Sequence, residues 1–117
     1  MTKRELIDLC LSFAGSVEDY PFEDEHCIVR HGGNRKWFAL ILELDGQLCI
    51  NLKCEPMQAD FWRSVYKDCR PGWHMNKQHW NTIYTGGDVP EEALTAMIAD
   101  SYKLTSGSKR EKPQNEQ

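Results

Sequence analysis

No stretch of the chain strings together the roughly 20 apolar residues needed to span a bilayer, and Met1-Thr2-Lys3-Arg4-Glu5 leads into an amphipathic helix instead of a secretory leader. A cytoplasmic protein with no membrane partner is expected. Paired cysteines are also missing. The five, at 10, 27, 49, 54 and 69, form no CxxC motif, and an odd set cannot all pair within one chain, so free thiols serving as small hydrophobes are expected. Close metal-ligand spacings are lacking too. Cys49-x4-Cys54, Cys69-x4-His74 and His74-x4-His79 come nearest, and a five-residue offset puts two side chains on opposite strand faces or about 140° apart on a helix. Gly32-Gly33 and Gly86-Gly87 fit no phosphate loop, and no nucleophile elbow or protease-like Cys setting occurs. These absences predict a non-enzymatic domain with no catalytic residue, no metal and no cofactor.

What is present suffices for one domain. At 117 residues the chain can bury a core without crosslinks. Thr2 and Glu5 form a capping box ahead of Leu6, Leu9, Cys10 and Phe13 at helical spacing, with Gly15 placed to end the helix. An acidic loop containing Glu18, Asp19, Glu23, Asp24 and Glu25 follows, then a short strand over 27–30. Strands over 37–44 and 47–53 flank Asp45-Gly46, the pair favoured in a type I′ turn, which fixes the register: Ile41 opposite Ile50, Ala39 opposite Leu52, Glu43 opposite Leu48. That side is expected to be the core, burying Leu48, Ile50 and Leu52. The other side, with Phe38, Leu40, Asn51 and Lys53, reads as only partly covered.

Pro56 opens a second helix with an apolar stripe of Met57, Phe61, Trp62 and Val65, which Arg70-Pro71-Gly72 closes. Strands over 73–75 and 80–85 around Asn76-Lys77 make a second hairpin. A third helix after Pro90 presents Leu94, Met97, Ile98, Ser101 and Tyr102. The prediction is a two-layer α+β domain over residues 1–105, ordered α-β-β-β-α-β-β-α, with helices stacked on one face of an antiparallel sheet. Residues 106–117 lack apolar anchors and are expected to form a disordered tail.

The segment Arg70–Tyr84 crowds two imidazoles, a lysine, two indoles and three carboxamides between short apolar positions. Burying so many donors and acceptors requires a partner for each, so the segment is either a satisfied polar bracket or a binding surface. Within it, His74-Met75-Asn76-Lys77-Gln78-His79-Trp80 resembles the HxNKxHW signature of the MmcQ/YjbR family, small bacterial proteins commonly labelled DNA-binding. Asp19-Tyr20-Pro21-Phe22, Leu52-Lys53-Cys54 and Ile98-Ala99-Asp100-Ser101-Tyr102 extend the likeness, which runs from about Glu5 to Lys103. The resemblance implies a fold similar to type III secretion chaperones, whose two hairpins are the wings of a double-wing nucleic-acid binder.

Charge distribution is compatible with that implication. The net charge is −4, yet between His26 and Trp80 eight Lys and Arg stand against five acids, so basic and acidic sides are expected. Arg35, Lys53 and Lys77 are the candidate phosphate ligands. Trp73 or Trp80, with His74 and His79, would approach sugar or base, and Asn76 completes the candidate set. Two alternatives stay open: a protein- or peptide-interaction module using the mixed sheet face with Phe38 and Leu40, and a small-molecule pocket lined by His74, His79 and Trp80. For Trp80 a core indole, and for Asn76 a backbone-satisfying turn, are the structural readings.

Overall fold

The computed structural model describes residues 1–23 and 25–107. The elements are α1 (Lys3–Leu11), β1 (Ser16–Asp19), β2 (Cys27–His31), β3 (Trp37–Leu44), β4 (Gln47–Lys53), α2 (Pro56–Val65), β5 (Cys69–Pro71), β6 (Trp80–Tyr84) and α3 (Glu91–Thr105). Six antiparallel strands lie in the order β1-β2-β3-β4-β6-β5. The α+β class and antiparallel sheet agree with the sequence reading, with one more strand than expected. Ser16–Asp19 pairs with β2 across Ser16–His31 to Asp19–Ile28, so part of the expected acidic loop is an edge strand, its carboxylates held by Arg4 on Glu18 and Arg30 on Asp19.

The capping box forms as read: Thr2 Oγ1 accepts from the Glu5 N–H at 3.1 Å while the Glu5 carboxylate accepts from the Thr2 N–H at 2.7 Å. The Asp-Gly turn sets the hairpin register, with Asp45 at φ 52° and Gly46 at φ 77°, and Ile41 pairs with Ile50 as expected. All three helices lie on one face of the sheet. Leu6, Ile7 and Cys10 of α1 and Leu94, Met97 and Ile98 of α3 bury against Val29, Ala39, Ile41, Ile50, Leu52 and Ile83, and α2 adds Trp62 to the edge of this core. Ser101 joins the layers by donating its hydroxyl to the Phe38 carbonyl at 2.6 Å and accepting from the Lys53 N–H at 2.9 Å.

Four expectations require correction. Leu48 is only half-buried, since it neighbours the turn. Phe38 faces the helices: a bulge pairs Val29 with Ala39 and Arg30 with Trp37, leaving Phe38 unmatched on β2 and turned onto Phe13, His31 and Tyr102. The other sheet face is not a half-open surface. Ile28, Leu40, Leu42 and Cys49 form a second buried cluster under Trp37, Leu44, Trp73 and Tyr84. Finally, 73–75 is not a strand; the strand is Cys69–Pro71, and Arg70-Pro71 therefore extends the sheet instead of closing α2, which ends at Val65. The expected tail lies, from residue 108 onward, outside the described residues.

Candidate functional site

The eight residues 72–79 connect β5 to β6 and carry most of the candidate set. Gly72 starts this loop because nothing larger fits: a Cβ there would lie 2.8 Å from the Trp80 Cβ and 2.9 Å from its carbonyl, which already accepts the Gly72 N–H. Trp73 is pinned to the sheet by a closed ring of hydrogen bonds. Its N–H donates to Thr82 Oγ1 at 2.8 Å, the Thr82 hydroxyl donates to Asn51 Oδ1, and Asn51 Nδ2 donates back to the Trp73 carbonyl at 3.0 Å. This satisfies Asn51, a fully buried amide in the middle of a strand. The far end of the loop is clamped to α2 by Arg63, which reaches Asn81 Oδ1 at 2.6 Å and donates to the Lys77 carbonyl. Lys53 lies opposite Trp80, and the adjacent Cys54 N–H donates to the His79 carbonyl at 2.8 Å.

Much of the signature is therefore the polar bracket. Asn76 Oδ1 accepts from the Gln78 N–H at 2.9 Å, and Lys77 Nζ donates to the Gly72 carbonyl at 2.9 Å, closing the loop on itself. The left-handed backbone falls on His74 at φ 57°, not on Asn76. What faces outward is the exposed His74 ring, stacked on the half-buried Trp73 at 3.8 Å and 22°, with Asn76 and Lys77 exposed and His79 and Trp80 half-buried. Trp73 also meets His26 edge-on at 6.3 Å, and Phe22 stands between His26 and Trp37 at 6.4 and 5.7 Å. These rings cover the second cluster and with it Leu40, while Phe38 is buried under the helices, so the two do not form the accessible apolar face that the peptide reading requires.

Topology brings the scattered basic candidates to one end of the sheet. β2 ends at His31, β3 begins at Trp37, β4 ends at Lys53, β5 ends at Pro71 and β6 begins at Trp80, so the turn 32–36, Lys53 and the loop 72–79 share that end. Arg35 sits exposed at φ 67° in a turn closed by the His31 N–H to the Lys36 carbonyl and by Asn34 Oδ1 accepting the Lys36 N–H. Neither loop contains a carboxylate, and together with Lys53 they present Arg35, Lys36 and Lys77. Glu55 and Asp100 flank this pole on the helical side. The opposite end carries Glu43, Asp45, Asp68, Asp88 and Glu91, five carboxylates against the two cations Lys67 and Arg70, of which Arg70 pairs with Asp68. Lys36 was not among the sequence candidates, although its place beside Arg35 was signal enough. Arg63 and Asn51 were missed as positioning residues, and only Asn51, a carboxamide within an apolar strand, carried a clue.

The remaining groups have structural surroundings. All five thiols are free and buried. Burial pushes Cys10 and Cys69 up to about 12 and Cys49 and Cys54 up to about 11, which leaves them neutral near pH 7. The Asp68 carboxylate accepts the Asp88 N–H and pairs with Arg70, which hold it below the usual carboxylate range. Among the described residues, no three His, Cys, Asp or Glu side chains converge as a metal cage, and no helix is long and apolar enough to cross a membrane.

The fold and its bracketed loop define a small two-layer α+β domain with a six-stranded antiparallel sheet. The family model described as YjbR matches residues 11–104, and the chain belongs to that family. It is 39% identical over 85 residues to the uncharacterised protein YbdF of Escherichia coli O157:H7, covering 73% of this chain and 68% of that one. It is 32% identical to the uncharacterised Bacillus subtilis protein YyaQ, covering 90% of this chain and 98% of the relative. Among solved structures, a Deinococcus radiodurans protein with the DUF419 domain superposes with a TM-score of 0.82 at 30% identity, covering 97% of this chain and 83% of that one. A Pseudomonas syringae protein superposes with a TM-score of 0.80 at 28% identity, covering 90% and 99%.

Proposed function

We propose that the domain is a non-enzymatic nucleic-acid-binding module whose contact surface is the basic end of the sheet. The observation carrying this reading is that two carboxylate-free loops, 32–36 and 72–79, flank Lys53 at one end while the acidic turns gather at the other. A polyanion approaching such a molecule is drawn to the basic end and repelled by the opposite one, which orients the encounter before any contact forms. Arg35, Lys36, Lys53 and Lys77 neutralise phosphates. The His74 ring, already stacked on Trp73, offers a flat face to an unpaired base, which favours single-stranded over duplex ligands.

Each phosphate contact releases about one counterion, so removing one should lower the slope of log K against log salt by about one unit. Fluorescence anisotropy of a labelled single-stranded oligonucleotide, titrated between 50 and 200 mM salt, measures this for wild type, Arg35→Gln, Lys53→Gln and Lys77→Gln. Binding that weakens with salt, with a shallower slope in each variant, is the expected result. No binding at low salt, or three variants indistinguishable from wild type, would sink the proposal. Because Lys77 also ties the loop to Gly72, its variant should be judged beside Arg35→Gln and Lys53→Gln, which leave that bond intact.

A further inference from the structure

The second helix carries its apolar stripe on the outside. Trp62 turns inward onto the core and Ala59 is fully buried, but Met57 is 87% exposed, Phe61 51% and Val65 47%. Three large apolar side chains at i, i+4 and i+8 thus run down one outward face of α2. Beyond Met57 the stripe continues into an open groove of about 780 Å³ between the start of α2 and the end of α3, lined by Pro56, Met57 and the 42%-exposed Leu104 and edged by Glu55, Asp100 and Lys103. Scattered exposed hydrophobes are ordinary; a row of them joined to a groove marks a contact surface.

We infer that this face pairs with the same face of a second copy of the chain, α2 against α2 in antiparallel orientation about a two-fold axis at Phe61. The argument is self-complementarity. In a two-fold contact centred on residue 61, each position meets the one equally far on the other side. Phe61 then meets Phe61 of the partner, Met57 meets Val65, and the polar Gln58 meets Ser64. At the ends, Glu55, the residue capping the start of α2, meets Lys67, two residues past its last turn, and with Asp100 as a second carboxylate and Lys103 as a cation on the groove edge, that edge keeps a net negative charge toward the incoming lysine. Opposite charges fall together at both ends and the antiparallel helix dipoles attract, while a parallel arrangement would set Glu55 against Glu55 and Lys67 against Lys67. Val65 and Lys67 of one copy occupy the groove beside Met57 and Leu104 of the other.

Sedimentation of the 117-residue chain across a wide concentration range tests this directly. Wild type should pass from monomer to dimer. Phe61→Asp should raise the dissociation constant about thirtyfold or more, as for loss of a central aromatic anchor. Its circular dichroism should match wild type, because the replaced ring is half-exposed. Charge reversal makes the geometry specific. Glu55→Lys alone and Lys67→Glu alone should each dissociate, whereas an equimolar mixture of the two variants should form a heterodimer with both end pairs restored. A wild type that stays monomeric at every concentration overturns the inference. So does a Phe61→Asp protein that dimerises as well as wild type, or a mixture of the charge variants that stays monomeric.

Discussion

His31 shows how one side chain reports the state of the whole helical layer. It is 8% exposed, its Nε2 lies 2.8 Å from Thr105 Oγ1, and its ring packs against Phe38 and Tyr102 at 5.2 and 4.7 Å. The Thr105 hydroxyl donates to the Ser101 carbonyl at 2.8 Å, an arrangement that pairs with the His31 tautomer carrying its hydrogen on Nε2. Burial pushes the His31 pKa down. The unfolded chain therefore binds a proton at higher pH than the native one, and stability should be constant above the ordinary histidine value near 6.5 and fall as pH drops below it. Urea unfolding at pH 7.5, 6.5 and 5.5 checks this, with His31→Gln expected to flatten the decline across that window. An equally steep decline in the variant would assign the effect elsewhere. None of this was legible beforehand. A histidine beside Gly32-Gly33 reads as part of a turn, and only the distant Thr105 gives it a buried partner.

Elements were read well where a local signal decides them. The Thr2–Glu5 box, the Asp45-Gly46 turn and Pro56 at the head of α2 each act within four residues, and each formed as expected. Elements decided at long range were misread. Ser16–Asp19 is polar and becomes a strand because β2 offers it a free edge, and Trp73–Met75 has strand-like residues but leaves the sheet because Asn51 and Thr82 draw its backbone onto the second face. The loop 72–79 thus depends on side-chain ties instead of a tight turn. Asn51→Ala breaks the ring of hydrogen bonds and leaves buried partners unsatisfied, at a cost of about 1–3 kcal/mol. Hydrogen exchange followed by mass spectrometry should show faster exchange across 72–79, with the Leu6–Cys10 segment of α1 changing only in step with global stability. Uniform acceleration throughout the chain would mean that the loop is part of the global folding unit.

At the scale of the molecule, the excess of basic residues between His26 and Trp80 led to an expectation of separate basic and acidic sides; the polarity in the structure runs along the strands and divides that segment itself, since its Glu43, Asp45 and Asp68 lie at the acidic end. Which loops share an end follows from strand order, which composition does not contain. Whether a surface is exposed was harder still to read: the mixed sheet face looked half-open and is covered, while of the α2 stripe only Trp62 turns inward and Met57, Phe61 and Val65 face outward. The thiols have a practical consequence. Cys10, Cys27, Cys49, Cys54 and Cys69 are distributed over α1, β2, β4, the turn after β4 and β5, and none is more than 7% exposed. An alkylating reagent can therefore reach a given sulfur only when the element holding it opens, which makes the five cysteines built-in clocks for local opening. Under excess reagent at constant pH, Cys54 should be modified first and Cys10 and Cys27 last, each far more slowly than in urea, as read by peptide mass spectrometry over time. Five simultaneous rates would show that the domain opens only as a whole, and rates as fast as those of the unfolded chain would contradict the buried placement of the sulfurs.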